Sequence, residues 1–128
     1  MAGLPTPAPR SPAGSASEEH MKVWVDGSPA AVAYVTEDSA KNIKQLKDEH
    51  TNNEAEYLAI IEALKIIGTT EILSDSQLVV NQINGVYAIK EPRLRYYCSQ
   101  VWLLCKHKPW IKFTWIPRKE NKAGKLLG

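Results

Sequence analysis

Two short apolar runs that each end in an aspartate, with one helical stretch between them, constrain this chain more than any other feature. Residues 21–26 (MKVWVD) alternate and are rich in β-branched side chains, which predicts a strand, broken by Gly27-Ser28-Pro29. Residues 71–75 (EILSD) form a second apolar run of strand length. Between them, residues 52–67 carry apolar side chains at 55, 58, 59, 63 and 66, a helical spacing. Thr51 or Asn52 can cap the start of that helix, and Gly68 stops it. Strand, helix and strand in succession make the crossover of a parallel pair. If the two strands are neighbours, Asp26 and Asp75 leave the same edge of the sheet side by side. Glu56, one turn into the helix, can point back towards that edge.

The remaining elements complete a sheet around this unit. Residues 30–36 (AAVAYVT) and the more polar residues 42–47 predict two further strands, and their short links imply an antiparallel meander with the first. A helical stretch over residues 76–84 ends at Gly85, and Pro92 opens another that runs to about Lys106. Residues 110–116 (WIKFTWI) predict the last strand, ended by Pro117, and a final helix begins near Glu120. The order is βββαβααβ with a stub of helix, an α/β (α+β) arrangement with a five-stranded mixed sheet. Residues 1–20 are Pro, Ala, Ser and Gly with almost no large apolar side chains, so a disordered tail is expected ahead of one domain over residues 21–128. Trp102, Trp110, Trp115, Tyr96 and Tyr97 lie in regular elements among apolar neighbours and are expected in the core.

Composition narrows the class. With 44% hydrophobic and 23% charged residues, the 128-residue chain has the make-up of a globular domain with one core. No apolar run approaches the roughly 18–20 residues that span a bilayer. There is no basic-then-apolar leader pattern, so a cytoplasmic (intracellular) location, a monomer and no membrane partner are expected. Cys98 and Cys105 fall on one helix about 10 Å apart along its axis, too far for an unstrained disulfide. The net charge is only +2, yet residues 106–125 hold seven Lys or Arg against one acid, Glu120. Such clustering is either a phosphate-binding face or a solvated basic end.

Three carboxylates converging without a basic partner repel one another, and a bound divalent cation relieves the repulsion. All-oxygen ligation suits Mg²⁺ or Mn²⁺ and not zinc. Two such ions can activate water on one side of a phosphodiester and stabilise the leaving oxygen on the other. Taken singly, each acid has a plainer role: an aspartate at a strand end forms turns, and a glutamate on an exposed helix face is solvated.

Order and neighbours decide between these roles. Asp26-Gly27-Ser28, then residues 51–57 (TNNEAEY), then residues 74–83 (SDSQLVVNQI), then residues 115–121 (WIPRKEN) resemble the successive blocks of type 1 ribonuclease H, in the compact archaeal and bacterial form. The match covers residues 21–121. It implies a ribonuclease H-like fold and hydrolysis of the RNA strand of RNA–DNA hybrids with two Mg²⁺ or Mn²⁺ ions. It implies Asp26, Glu56 and Asp75 as catalytic metal ligands. It also implies substrate contacts from Gly27, Ser28, Thr51, Asn52, Asn53 and Arg118. The short amides and hydroxyls of Thr51, Asn52 and Asn53 suit the reading of 2′-hydroxyls, and Arg118 falls where the family often has a residue that assists product release. Lys90, Arg93 and Arg95 fall near where the family grips the DNA strand.

The chain departs from the family at its last block. The family's fourth carboxylate belongs to a pattern like Asn-x-x-Ala-Asp, where this chain has Asn121-Lys122-Ala123-Gly124-Lys125. Aligned without gaps, Lys125 takes the aspartate's place; with a one-residue deletion, Gly124 does. Neither is a carboxylate, and the helix that follows in the family is cut short. Weakened, Mn²⁺-supported activity is therefore expected. The rival readings are a hybrid-binding module that has lost turnover and another nuclease of the same superfold, because fold does not fix substrate.

Overall fold

The computed structural model describes residues 20–128, so the tail expected over residues 1–20 lies, except for His20, outside the described residues. Five strands form one sheet in the order β3-β2-β1-β4-β5: β1 (Met21–Ser28), β2 (Ala31–Thr36), β3 (Lys41–Gln45), β4 (Thr69–Ser74) and β5 (Lys112–Trp115). The first three pair antiparallel through short turns, whereas β1–β4 and β4–β5 are parallel. The crossover from β1 to β4 contains the helix α1 (Asn52–Leu64). Helices α2 (Gln77–Ile83) and α3 (Pro92–Cys105) link β4 to β5, and the chain closes with the single turn α4 (Gly124–Leu127). The mixed sheet and helix order agree with the ribonuclease H-like fold implied by the motifs.

Local chemistry sets the helix ends. Thr51 caps α1 with a full capping box: its hydroxyl accepts from the Glu54 N–H, and the Glu54 carboxylate accepts from the Thr51 N–H. The helix stops at Leu64, three residues before the expected end, and Gly68 takes the left-handed conformation at φ 93°. Pro92 stands at the start of α3, where its missing N–H costs nothing.

The main core lies on one face of the sheet. Val23, Val25, Val32 and Ile72 from the strands meet Ala55, Tyr57, Ile60, Ala63 and Leu64 of α1, together with Val79, Leu94, Cys98 and Val101 of α2 and α3. The opposite face is thinner, with Ala33, Val35 and Ala123 packed by Trp24, Leu126 and Leu127. Both cysteines are free thiols, as expected; Cys98 is buried and Cys105 half-buried.

Four expectations are corrected. The first strand does not stop at Asp26 but runs on to Ser28, with the turn at Pro29-Ala30. The last strand is shorter than residues 110–116, and β3 is exposed along its whole length. The final helix does not start at Glu120: residues Arg118–Glu120 make a 3₁₀ turn, and α4 begins at Gly124. Most of the aromatics are not core. Tyr96, Trp102, Trp110 and Trp115 are each exposed, and only Tyr97 packs partly against the main cluster. On α3 the inward stripe is Leu94, Cys98 and Val101, which leaves Tyr96, Trp102 and Leu103 outward.

Candidate active site

The β1–β4 pairing ends at Trp24 opposite Leu73, so Asp26 lies just beyond the last paired residue on that side of β1. Asp75 follows directly on β4. Both aspartates thus emerge at one edge of the parallel pair, as the β–α–β argument required. Glu56 is in the first turns of α1 and its carboxylate turns back to the same edge. One oxygen from each of Asp26, Glu56 and Asp75 comes within 4.8 Å of the other two.

Two of the three acids are held in low-dielectric surroundings. Asp26 is 2% exposed and Glu56 8%, and Glu56 Oε1 is buried with no hydrogen-bond partner. Burial raises the Asp26 carboxyl; Arg118 opposes that shift and Asp75 adds to it. Glu56 is pushed up to about 9, first by burial and then by Asp26 and Asp75, against the pull of Arg118. Three hard oxygens, one of them buried and orphaned, fit a divalent cation.

The cluster does have a basic partner, contrary to the sequence argument. Arg118 Nη1 donates to Asp26 Oδ1 and to Asp75 Oδ2, both at 3.2 Å. The two carboxylates hold the guanidinium still more firmly protonated, although the side chain is 63% exposed. Asn121 completes the floor of the site. It is fully buried, and its Nδ2 donates to Val25 O and to Asp75 Oδ2, each at 2.9 Å, while its Oδ1 accepts from the Ala123 N–H.

Comparison with known proteins follows this geometry closely. The family model described as reverse transcriptase-like matches residues 25–127, which takes in all three acids and the loop that carries Arg118. This chain belongs to that family. Among curated proteins it is 30% identical over 122 residues to the Enterococcus faecalis protein named "Putative hydrolase EbsB", covering 84% of this chain and 90% of the relative. Among solved structures, LC11-RNase H1 in complex with an RNA/DNA hybrid superposes with a TM-score of 0.73 at 28% identity, covering 83% of this chain and 92% of that one. The N-terminal RNase H domain of Rv2228c from Mycobacterium tuberculosis, solved as a maltose-binding protein fusion, gives a TM-score of 0.73 at 30% identity. That alignment covers 84% of this chain and 95% of the other.

Within this reverse transcriptase-like domain, the other residues singled out by sequence fall into three groups. Thr51, Asn52 and Asn53 form the cap and first turn of α1, with Thr51 and Asn52 exposed and Asn53 half-buried. Ser28 closes β1, its hydroxyl donating to Ala31 O at 3.3 Å. Arg93 pairs with the buried Glu54 at 3.0 Å, tying the start of α3 to the capping box, and Arg95 Nε donates to Ile89 O.

Gly27 and Gly124 have roles that the sequence did not reveal. Gly27 was read as a turn residue or a place of close approach to substrate. It lies inside β1, and a Cβ there would come within 2.4 Å of the Ala55 carbonyl carbon and oxygen. Its lack of a side chain lets α1 press onto the strand. At the other end, Lys125, which the ungapped alignment puts at the family's fourth carboxylate, is exposed. Gly124 is buried, and a Cβ on it would lie 3.7 Å from Asp26 Oδ2 and 3.6 Å from Arg118 Cζ. Asn121 was quoted only as part of a motif. Its signal was weak: an Asn after a proline-led turn says nothing of its burial.

Proposed function

We propose that this chain is an endonuclease that hydrolyses the RNA strand of RNA–DNA hybrids, with Asp26, Glu56 and Asp75 as ligands for Mg²⁺ or Mn²⁺, two ions per site. The observation that carries this reading is the convergence of those three carboxylates at the end of a parallel strand pair, in a fold shared with a ribonuclease H1 bound to such a hybrid. When bound, a pair of divalent ions supplies an activated water and a counter-charge for the leaving oxygen. The protein's own residues do the rest. The β–α–β unit fixes Asp26, Glu56 and Asp75 so that they cannot relax apart, and Asn121 orients the Asp75 carboxylate through its amide.

The substrate surface lies around the same edge. Asn52 and Asn53 stand one helical turn or less from Glu56 and present amides suited to 2′-hydroxyls, the groups that distinguish RNA from DNA. Thr51, Gly27 and Ser28 flank them. Arg118 brings a fixed positive charge to the site, suited to a phosphate of the cleaved strand.

The test is incubation of the full chain with labelled RNA–DNA, RNA–RNA and DNA–DNA duplexes, in Mg²⁺, Mn²⁺ or EDTA. Cleavage of the RNA strand of the hybrid, supported by Mn²⁺ and abolished by EDTA or Asp75→Asn, is the expected result. The absence of a carboxylate at Gly124 and Lys125 favours one second reading, a hybrid-binding module without turnover. Hybrid retention in EDTA with no cleavage in either metal would assign the protein to that class.

A further inference from the structure

The most unusual feature of the site is an arginine placed where its neighbours' chemistry asks for a metal. Arg118 bridges Asp26 and Asp75, two of the three acids. Yet it leaves the third member unserved, since Glu56 Oε1 is more than nine-tenths buried and has no partner. A guanidinium donating from one nitrogen therefore neutralises only part of the cluster. The orphaned oxygen points to a ligand that Arg118 does not replace.

Gly124 explains how the arginine reaches this place. Its Cα faces the guanidinium, and a Cβ would stand 3.6 Å from Cζ and 3.8 Å from Nη1, ordinary contact distances. Any side chain longer than that of alanine would extend into the volume Arg118 now fills. Gly124 and Arg118 thus act as a complementary pair, in which a missing side chain makes room for a charge brought from six residues earlier. A carboxylate at 124 would also lie beside Asp26.

We propose that Arg118, admitted by Gly124, is a built-in counter-cation of the Asp26–Glu56–Asp75 cluster, and that it and a divalent metal ion hold these carboxylates in mutually exclusive arrangements. The inference rests on the metal-dependent reading of the same acids. Its consequence is that metal affinity is set by competition with an internal cation, in addition to the ligands themselves. The 3₁₀ turn that carries Arg118 must swing the guanidinium out when an ion enters, and 63% of that side chain already faces solvent.

The test measures Mn²⁺ binding by titration calorimetry on the full chain, for the wild type, Arg118→Ala, Arg118→Ala/Gly124→Asp and Gly124→Asp. Removing the competing charge should lower the Mn²⁺ dissociation constant about tenfold or more, and adding the carboxylate should lower it further. Melting temperatures give an independent readout. Arg118→Ala should melt below the wild type in EDTA, where the carboxylates lose that cation, and should recover in saturating Mn²⁺. An unchanged or weaker Mn²⁺ affinity in Arg118→Ala, with an equal stability loss in EDTA and in Mn²⁺, would make Arg118 a purely structural clamp and overturn the proposal. No Mn²⁺ binding by any variant would overturn it as well. The hybrid-cleavage assay separates the two layers. Cleavage with unchanged affinity keeps the nuclease reading and removes the competition; tighter Mn²⁺ without cleavage does the reverse.

Discussion

Gly27→Ala is the substitution for which the structure gives the most direct magnitude. A Cβ on residue 27 would lie 2.4 Å from the Ala55 carbonyl carbon and oxygen, and 2.8 Å from the Glu56 nitrogen. These are backbone atoms of a helix, so no flexible side chain can turn aside. Contacts below 3.0 Å are essentially never adopted by real Cβ atoms, which leaves α1 and β1 short of clearance by about 0.6 Å. Opening that gap separates Val25 from Ala55, Ala59 and Ile60 at the centre of the main core. Overpacking of this kind costs about 1–3 kcal/mol. For a domain of roughly this size that corresponds to a fall in Tm of about 4–13 °C.

The same displacement acts on the site. Glu56 rides on the segment of α1 that is pushed away, while Asp26 stays on β1, one residue from the substitution. Misplacement approaching 1 Å between reacting groups costs about a hundredfold in rate, so a loss of about ten- to a hundredfold in hybrid cleavage is expected alongside the stability loss. The assay is urea unfolding with the slope compared between variants, paired with initial rates of hybrid cleavage well below the melting range. Gly85→Ala is the control: Gly85 has φ +79° and nothing within 4 Å of a Cβ, so it should cost about 1–2 kcal/mol through backbone strain alone and leave the rate unchanged. A Gly27→Ala protein with wild-type unfolding and wild-type rate would refute the close-approach argument. A stability loss with an unchanged rate would refute its extension to the site.

Two further outcomes follow from the buried polar groups. Glu56, pushed up to about 9 against an ordinary value of 4.5, holds a proton in the folded, metal-free state that the unfolded chain releases above that ordinary value. The stability this contributes is complete below about pH 4.5 and is lost as pH rises towards 9, so Tm in EDTA should fall between pH 5 and 9, and Glu56→Gln should flatten that fall. An identical slope in the variant would sink the assignment. Asn121→Ala strips partners from Val25 O, Asp75 Oδ2 and the Ala123 N–H, and should cost about 2–4 kcal/mol. Differential scanning calorimetry checks this, and a cost under about 0.5 kcal/mol would show that water replaces the amide.

How much of this was legible in the chain depends on the distance over which each residue acts. Asp26, Glu56 and Asp75 could be placed together because one rule, the parallel strand pair around a helix, relates them through a single crossover. The Thr51 cap is local and was equally readable. Arg118 reaches Asp26 across 92 residues of sequence, through a loop whose path no periodicity encodes. Gly124 and Lys125 open the single turn α4, too short for a helical spacing in the sequence to say which of them faces the acids. The aromatics were misjudged for a different reason: regularity of an element says that it packs, not which of its faces does. Tyr96 and Trp102 lie off the Leu94–Cys98–Val101 stripe, and that offset was present in the spacing.

The division of labour in the site also accounts for its electrostatics. All three carboxylates are fixed by the β–α–β unit, the most deeply packed part of the molecule, so they cannot lower their repulsion by moving. Burial raises the cost further, which is why Glu56 resists ionisation. The groups that answer this repulsion, Arg118 and the Asn121 amide, come from the loop and single turns after β5. A rigid anionic site answered by a less regular segment can exchange one cation for another without disturbing the core. Under the proposed competition, metal occupancy depends on the conformation of residues 118–128, not on the sheet. Substitutions in residues 118–124 should therefore shift metal affinity far more than they shift the fold, Asn121 excepted, because its amide belongs to both.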